Sequence, residues 1–291
     1  MRNSVAHEIK KIALTDESLF VISGDAGLGV WDDFKTCKQF INTGVNEQLD
    51  IGFGAGLSLM GHKVIYYNIA PFVIMRPYEF IRNDICYQEL PMILIGTGSG
   101  ITYAPAGVTH YVVEDIALAS TMPNLDIFSP ADPIEAVECL KYAYKSKKPS
   151  YIRIAKNGED RIHKEEIDIT KPIFINQSQS KNILILHGSI ADEISKILEF
   201  VDINIVTVPM LSSEFDWETF LIDFDKVFTL EEHFINGGFG TLLRDRCEKK
   251  IYKFGLPNEY IHKIGNRDYL RKYYEIDGIS IGKKILEICN G

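Results

Sequence analysis

Short apolar segments alternate with longer amphipathic segments through the first half of the chain. The short segments are rich in β-branched and aromatic residues, and they are Leu19–Ser23, Val64–Tyr67, Met92–Ile95, Asp126–Phe128 and Tyr151–Ile154. Helical patterns between them cover Glu47–Met60, Pro77–Gln88 and Pro133–Lys145. This alternation is typical of βαβ units, so it predicts an α/β fold in which helices flank a mostly parallel sheet.

A polar segment from Asn157 to Asn182 has little periodicity and is the best linker candidate. The alternation resumes after it, in Ile183–Leu186, Ile203–Val208, Lys226–Leu230 and the amphipathic Ile279–Cys289. We therefore predict two α/β domains, residues 1–170 and residues 171–291, each built on a mostly parallel sheet flanked by helices.

Charge and cysteine content narrow the function classes. The chain has 31 Lys and Arg against 40 Asp and Glu, a net charge of −9, which makes nucleic acid and anionic membranes unlikely partners. Its 5 cysteines are scattered without a CxxC pair, which favours a reducing compartment. The first 20 residues lack the continuous apolar stretch of a signal peptide, and no apolar run is long enough for a membrane span. We expect a cytoplasmic protein.

Three local features could take part in binding or catalysis, and each could equally serve only the packing of the fold. Glu47 opens a helix that contains Gly52, Gly54 and Gly56, a pattern that suits close approach of a second backbone or a cofactor. The Gly96–Gly100 turn follows a strand but lacks a dinucleotide or P-loop spacing, so nucleotide binding is not favoured. His110 stands in a loop, where α/β proteins often bind ligands.

The order and spacing of the motifs are more specific than any one of them. The segments in question are Gly44-Val45-Asn46-Glu47, Ala70-Pro71-Phe72, Gly96-Thr97, Thr109-His110, Glu114-Asp115-Ile116-Ala117, Pro123-Asn124 and Ser129-Pro130-Ala131-Asp132. Together they resemble the pyrimidine-binding domain of transketolases, which carries a G-[IV]-x-E segment, TFxxF, a GTHAG-like turn, a GPTH loop, EDIA, PN and PAD. In the second domain Thr229–Gly240 resembles the TVEEH…GG(F/L)G segment of the transketolase C-terminal domain.

This resemblance implies an enzyme that uses thiamine diphosphate to transfer a two-carbon ketol unit between sugars or sugar phosphates. Glu47 matches the glutamate that hydrogen-bonds the aminopyrimidine ring, and we expect it to be buried in the assembled enzyme. Phe72 matches the second aromatic residue of TFxxF, which packs on that ring. Ile69 replaces the first aromatic residue, and Arg76 lies beside this segment. The resemblance thus assigns cofactor binding to Glu47, Phe72, Ile69 and Arg76.

The same resemblance implies a substrate side. His110 matches the GPTH histidine, which faces substrate hydroxyls and helps to move protons, so Glu47 and His110 are the expected catalytic residues. Lys156 and Arg153 match the end of the domain where the family binds a substrate phosphate, and Lys156 aligns better.

Three departures from the family pattern concern the substrate. Gly98 stands where a transketolase has the THAG or THDS histidine, Ala106 where GEDGPTH has its aspartate, and Gly29 where a serine is common. Since these residues contact donor hydroxyls and phosphate, we expect a sugar other than the usual pentose phosphates.

A further departure concerns the cofactor's diphosphate. The family binds the diphosphate and Mg²⁺ through a GDG…N motif in a preceding domain, and this motif is not found here. A divalent cation needs several oxygen ligands, so we expect a separate subunit that carries GDG…N, with two copies of each chain in an α₂β₂ heterotetramer. The glycine-containing helix from Glu47 would pack at that interface.

Two alternatives remain open at the level of sequence. The chain could be the β subunit of another thiamine diphosphate enzyme, either a 2-oxo acid dehydrogenase or a deoxyxylulose-phosphate-synthase-like protein. It could also be a non-catalytic regulatory subunit. The identity of the sugar donor and acceptor, the pathway and the partner is not evident from the sequence.

Overall fold

We describe the protein from a computed structural model, which covers residues 1–156, 158–164 and 167–291. The strands are β1 (Leu19–Ser23), β2 (Phe40–Asn42), β3 (Lys63–Ile69), β4 (Met92–Thr97), β5 (Asp126–Phe128), β6 (Ser150–Ile154), β7 (Ile173–Asn176), β8 (Asn182–Leu186), β9 (Asn204–Thr207), β10 (Lys226–Phe234) and β11 (Ile251–Leu256). The α-helices are α1 (Arg2–Ala13), α2 (Glu47–Leu59), α3 (Ala70–Ile74), α4 (Tyr78–Phe80), α5 (Asp115–Ser120), α6 (Pro133–Lys145), α7 (Ile194–Leu198), α8 (Trp217–Leu221), α9 (Phe239–Arg244), α10 (Arg267–Tyr273) and α11 (Gly278–Asn290).

The strands form two sheets, as the sequence predicts. The first has 6 strands in the order β2-β1-β3-β4-β6-β5, and all of its pairings are parallel. The second has 5 strands in the order β11-β10-β8-β9-β7 and is parallel except for β7 at its edge. Every residue of β4, a central strand, is buried, which accounts for its unbroken apolar sequence. The predicted α/β class is confirmed.

Local sequence signals explain several helix boundaries. The α6 helix begins at Pro133, and the Asp132 side chain caps it by accepting a hydrogen bond from the Glu135 amide. The predicted helix over Pro77–Gln88 is interrupted, because α4 ends at Phe80 and a π-helical segment, Ile81–Cys86, continues from it. A helix with five-residue spacing cannot be distinguished from an α-helix by apolar periodicity alone.

The segment expected to be a linker contains a strand. Strand β7 pairs antiparallel with β9 and so belongs to the second sheet. Polar residues on both sides of β7 hide its short apolar alternation in the sequence. The strand forms because it pairs with β9 in the folded chain. Asn157, Glu165 and Glu166, also within that segment, lie outside the described residues. The domain boundary after residue 170 remains a prediction, although it falls between the last strand of one sheet and the first of the other.

The two sheets share apolar and polar contacts. One apolar cluster includes Ile22 and Leu94 from the first sheet together with Val206 and Val227 from the second. Backbone hydrogen bonds also join the two halves, such as that from the Leu211 amide to the Ile127 carbonyl (2.8 Å). No helix among the described residues is long and apolar enough to cross a membrane.

Candidate active site

A cavity of about 310 Å³ opens where three adjacent parallel strands end. Residues after β1, the last residues of β3 and the end of β4 meet there, at the edge of the sheet where α/β proteins bind ligands. Its lining residues are Arg2, Gly24, Asp25, Ala26, Gly27, Leu28, Val45, Glu47, Tyr67, Asn68, Ile69, Phe72, Thr97 and Tyr103. The cavity is therefore built from the first sheet together with the starts of α1 and α2.

Glu47 is held at the cavity by the turn that precedes α2. Gly44 has a φ of 76°, a conformation that favours glycine, and its amide donates to the Asn42 side chain (2.9 Å). Asn46 then caps the helix through its side chain, which accepts from the Leu49 amide. Glu47 follows as the first helical residue and is only 4% exposed. The chain thus buries a carboxylate at a helix N-terminus, where the helix dipole favours negative charge.

Arg76 joins Glu47 to Phe72. Its Nη1 donates to Glu47 Oε1 at 2.6 Å, and its guanidinium lies 3.7 Å from the centre of the Phe72 ring. No described residue donates a hydrogen bond to Glu47 Oε2, which leaves that oxygen for a ligand. Carboxylate, guanidinium and aromatic ring form one unit, with the charged pair beside an apolar surface.

His110 lies next to this unit. Its ring meets the Phe72 ring edge-on, with 5.4 Å between centroids. The Thr109 hydroxyl is 2.8 Å from His110 Nδ1, so Nε2 is the nitrogen without a side-chain partner among the described residues. The loop position proposed from sequence therefore brings a histidine within reach of the same space that Glu47 borders.

Lys156 lies beside Tyr103, one of the residues that line the cavity. Its Nζ lies 3.8 Å from the centre of the Tyr103 ring, and Tyr103 is in turn 6.3 Å from His110 by ring centroids. Burial and the nearby positive charge of Arg2 lower the pKa of Lys156. Two positive side chains, Lys156 and Arg2, thus face one region, an arrangement suited to an anion.

Comparison with known proteins agrees with this geometry. Residues 1–158 match the family described as "Transketolase, pyrimidine binding domain". The chain is also 30% identical over 257 residues to one subunit of the apulose-4-phosphate transketolase of Actinobacillus succinogenes, covering 84% of this chain and 82% of that protein. The chain belongs to the transketolase family.

Two further comparisons extend into the second half of the chain. The putative transketolase C-terminal section of Methanocaldococcus jannaschii is 29% identical over 262 residues, which is 86% of this chain and 83% of that protein. A solved structure described as "Split gene transketolase, inactive beta4 tetramer" superposes with a TM-score of 0.81 at 22% identity and covers 98% of this chain and 97% of its own. The latter shows that both domains have the transketolase fold.

Most residues that the transketolase resemblance singles out lie together. Glu47, Phe72 and Ile69 line the cavity, while Arg76 and His110 contact its lining. Asn68, which replaces the threonine of TFxxF, also lines the cavity; it is buried and donates to the Tyr66 hydroxyl (2.9 Å). The site thereby combines residues from three separate segments of the chain.

Arg153 lies elsewhere. It is 2% exposed, and its Nε donates to Asp115 Oδ2 at 2.7 Å while Nη1 donates to the Ser129 hydroxyl at 3.3 Å. A guanidinium with these partners neutralises a buried carboxylate between the two sheets. The structure does not bring Arg153 to the cavity, so we leave it out of the substrate contacts proposed below.

Several residues of the cavity received no role from the sequence, among them Arg2, Tyr67 and Tyr103. Arg2 resembles any other basic residue at the start of an amphipathic helix, and only the packing of α1 against the sheet brings it to the site. Tyr67 lies two residues before the end of β3, in an apolar sequence that gives no sign of a place at the cavity. Among the described residues, no group of three or more His, Cys, Asp or Glu side chains is arranged to hold a metal ion.

Proposed function

We propose that this chain is the C-terminal (β) subunit of a split transketolase, which transfers a two-carbon ketol unit between sugars or sugar phosphates and is active only with a partner. The observation that carries the proposal is the unit formed by Glu47, Arg76 and Phe72 at the cavity. Support comes from the Actinobacillus relative, whose name makes it one subunit of a transketolase and which this chain resembles over most of its length.

The cavity fits the pyrimidine end of thiamine diphosphate. Phe72 and Ile69 offer apolar surface for a flat ring, and the free Glu47 Oε2 offers a proton acceptor at its edge. When bound, thiamine diphosphate supplies the thiazolium carbon that carries the two-carbon unit. Glu47 would share a proton with the ring nitrogen N1′, because a carboxylate can both accept and hold that proton at hydrogen-bond distance. Arg76 fixes the carboxylate by binding its other oxygen.

The substrate would lie toward His110 and Lys156. His110 Nε2 is placed to exchange a proton with a substrate hydroxyl, since its Nδ1 is already engaged by Thr109. Lys156 and Arg2 would bind an anionic group such as a sugar phosphate. The ammonium of Lys156 acts as a point charge, whereas the Arg2 guanidinium can bind two oxygens at once.

We propose that the partner subunit docks on an exposed apolar face beside the cavity. Helix α2 starts at the cavity, and Leu49 (50% exposed) and Phe53 (41% exposed) lie on its outer side. Gly52 and Gly56 on the same helix have no other group within 4 Å of where a Cβ would be. Val45, which lines the cavity, is also exposed. Because this face is continuous with the cavity mouth, a subunit that docks there would also close the site, and we propose that it holds the diphosphate and Mg²⁺ in an α₂β₂ assembly.

The test is reconstitution with the subunit that co-purifies from the native cell. We expect the complex, with thiamine diphosphate and Mg²⁺, to transfer two carbons from a ketose phosphate to an aldose phosphate. The variant E47Q should lose activity by several orders of magnitude, whereas E17Q, the same change at an exposed position, should not. Circular dichroism of the bound cofactor would report binding separately from turnover.

Different outcomes would contradict different parts of the proposal. Pyruvate decarboxylation without ketol transfer would favour another thiamine enzyme. Full activity of E47Q would indicate a regulatory subunit. Binding of the cofactor and turnover by this chain alone would remove the need for a partner. A cytoplasmic location, also proposed, is checked by fractionation of the native cell.

A further inference from the structure

Tyr103 fills space that a side chain at position 98 would otherwise occupy. Gly98 has a φ of +87°, and a Cβ built on it would lie 2.0 Å from Cδ2 and 2.1 Å from Cε2 of the Tyr103 ring. Both the left-handed backbone and the ring exclude any larger residue there. The loss of a side chain at position 98 is therefore coupled to the presence of an aromatic ring at the cavity.

Contacts on the loop and the adjoining strand hold this ring in place. Tyr103 precedes a 3₁₀ turn, Ala104–Ala106, and its ring contacts the Lys156 ammonium and lies near His110. Its hydroxyl makes no hydrogen bond with a described residue. Burial raises the pKa of the Tyr103 phenol, so the group is a neutral hydroxyl at physiological pH. Tyr103 thus forms an aromatic wall of the cavity, near His110 and Lys156.

We propose that Tyr103 is a specificity-determining residue, whose ring packs against the carbon chain of the sugar. This inference rests on the proposed function. The face of an aromatic ring packs favourably against the C–H groups of a sugar. A sugar hydroxyl that faces the ring finds no hydrogen-bond partner there. The preferred substrate is therefore a ketose or ketose phosphate in which the carbon that faces Tyr103 has a hydrogen or a carbon branch in place of a hydroxyl.

The experiment compares pairs of ketose phosphates that differ by one hydroxyl, using the reconstituted complex. We expect Y103F to keep the wild-type preference, because it keeps the ring. Y103A should shift the ratio of kcat/KM values by about tenfold or more toward the more hydroxylated member of the pair. The exposed residue Tyr260 supplies the control, Y260A, which should leave the ratio unchanged.

A second measurement separates this inference from the proposed function. Calorimetric binding of the same sugar pairs to the E47Q complex requires no turnover, so Y103A can be tested there even if the wild type transfers nothing. A shifted affinity ratio without ketol transfer would support the role of Tyr103 and contradict the proposed reaction. An unchanged ratio, or an equal loss for every sugar, would overturn the inference.

The glycine provides an internal check on the steric argument. G98A should lower the stability of the chain, since its Cβ meets Tyr103 and its backbone is strained. Y103A in the same chain should remove the contact but not the backbone strain, so the double variant should be less destabilised than the sum of the two single variants. Additive losses would show that Tyr103 does not occupy this space.

Discussion

At the scale of single residues, the contacts of Arg76 explain how the Glu47 carboxylate is held in place. Its guanidinium binds one oxygen of a buried carboxylate and stacks on the Phe72 ring, so it positions Glu47 through two contacts of different kinds. Arginine is suited to this because it is planar and offers several donors, whereas lysine offers a point charge. Arg76 is therefore a positioning residue, in addition to any direct contact with the cofactor.

We predict that R76K lowers kcat of the reconstituted complex by about tenfold or more while KM for the sugar changes little. The charge is retained but the stacked, two-contact geometry is lost, so Glu47 is less well oriented. Steady-state kinetics with R76K and R76A, and with R244K as an exposed control, would measure this. If R76K and R76A were equally active, or if the loss were entirely in KM, the positioning role would be wrong.

At the scale of elements, the three glycines of α2 have two different roles. Gly54 faces inward, where a Cβ would be 2.5 Å from Met92 Cε and 3.3 Å from Ile22 Cδ1. Gly52 and Gly56 face open space. Close packing within the chain therefore explains one glycine, and the other two remain available to a partner subunit.

We predict opposite effects from G52A and G54A. Alanine gives both variants a gain of roughly 1 kcal/mol in helix propensity. Only G54A also overpacks the core, so G52A should be the more stable of the two variants by about 1–3 kcal/mol. Urea denaturation of the chain measures this difference.

In sedimentation experiments with the partner subunit, G52A should weaken assembly, and equal assembly by wild type and G52A would contradict docking on this face.

At the scale of the whole molecule, α6 connects the two sheets through a buried acid. Glu135 accepts hydrogen bonds from the Ala131 amide and from the Thr207 hydroxyl on β9, and His163 lies 3.5 Å from it. Burial raises the pKa of Glu135 to about 7, with the hydrogen bonds and His163 opposing part of that effect. The pKa of His163 is also raised, because hydrogen bonding to Asp132 and the charges of both acids outweigh the effect of burial.

These pKa shifts predict how stability depends on pH. Between pH 5 and 8 the folded chain holds more protons than the unfolded chain at Glu135 and His163, so these two groups lower the free energy of unfolding as pH rises, whereas the lowered pKa of the buried His187 acts in the opposite direction. The lowered pKa of Asp132 acts only below this range. Urea denaturation across pH 5–8 should show a smaller slope for E135Q than for wild type. An E135Q slope equal to that of the wild type would contradict the assignment.

Several features followed from the sequence alone. The two α/β sheets and the start of α2 at Glu47 depend on apolar periodicity, which is set by residues close together in the chain. The motif order identified the family, as the comparisons confirm. Strand β7 was missed because its pairing with β9 involves residues far apart in the chain.

The site itself is only partly local. Glu47, Phe72 and His110 were singled out by motifs, but the sequence did not reveal that Arg76 links two of them, nor that Arg153 points away from the cavity toward Asp115. Arg2 and Tyr103 reach the cavity only because α1 packs beside the sheet and a glycine at position 98 makes room. Sequence order determines which elements form and which family they resemble. Tertiary packing decides which side chains share one space, because distance between residues far apart in the chain is set only by the fold.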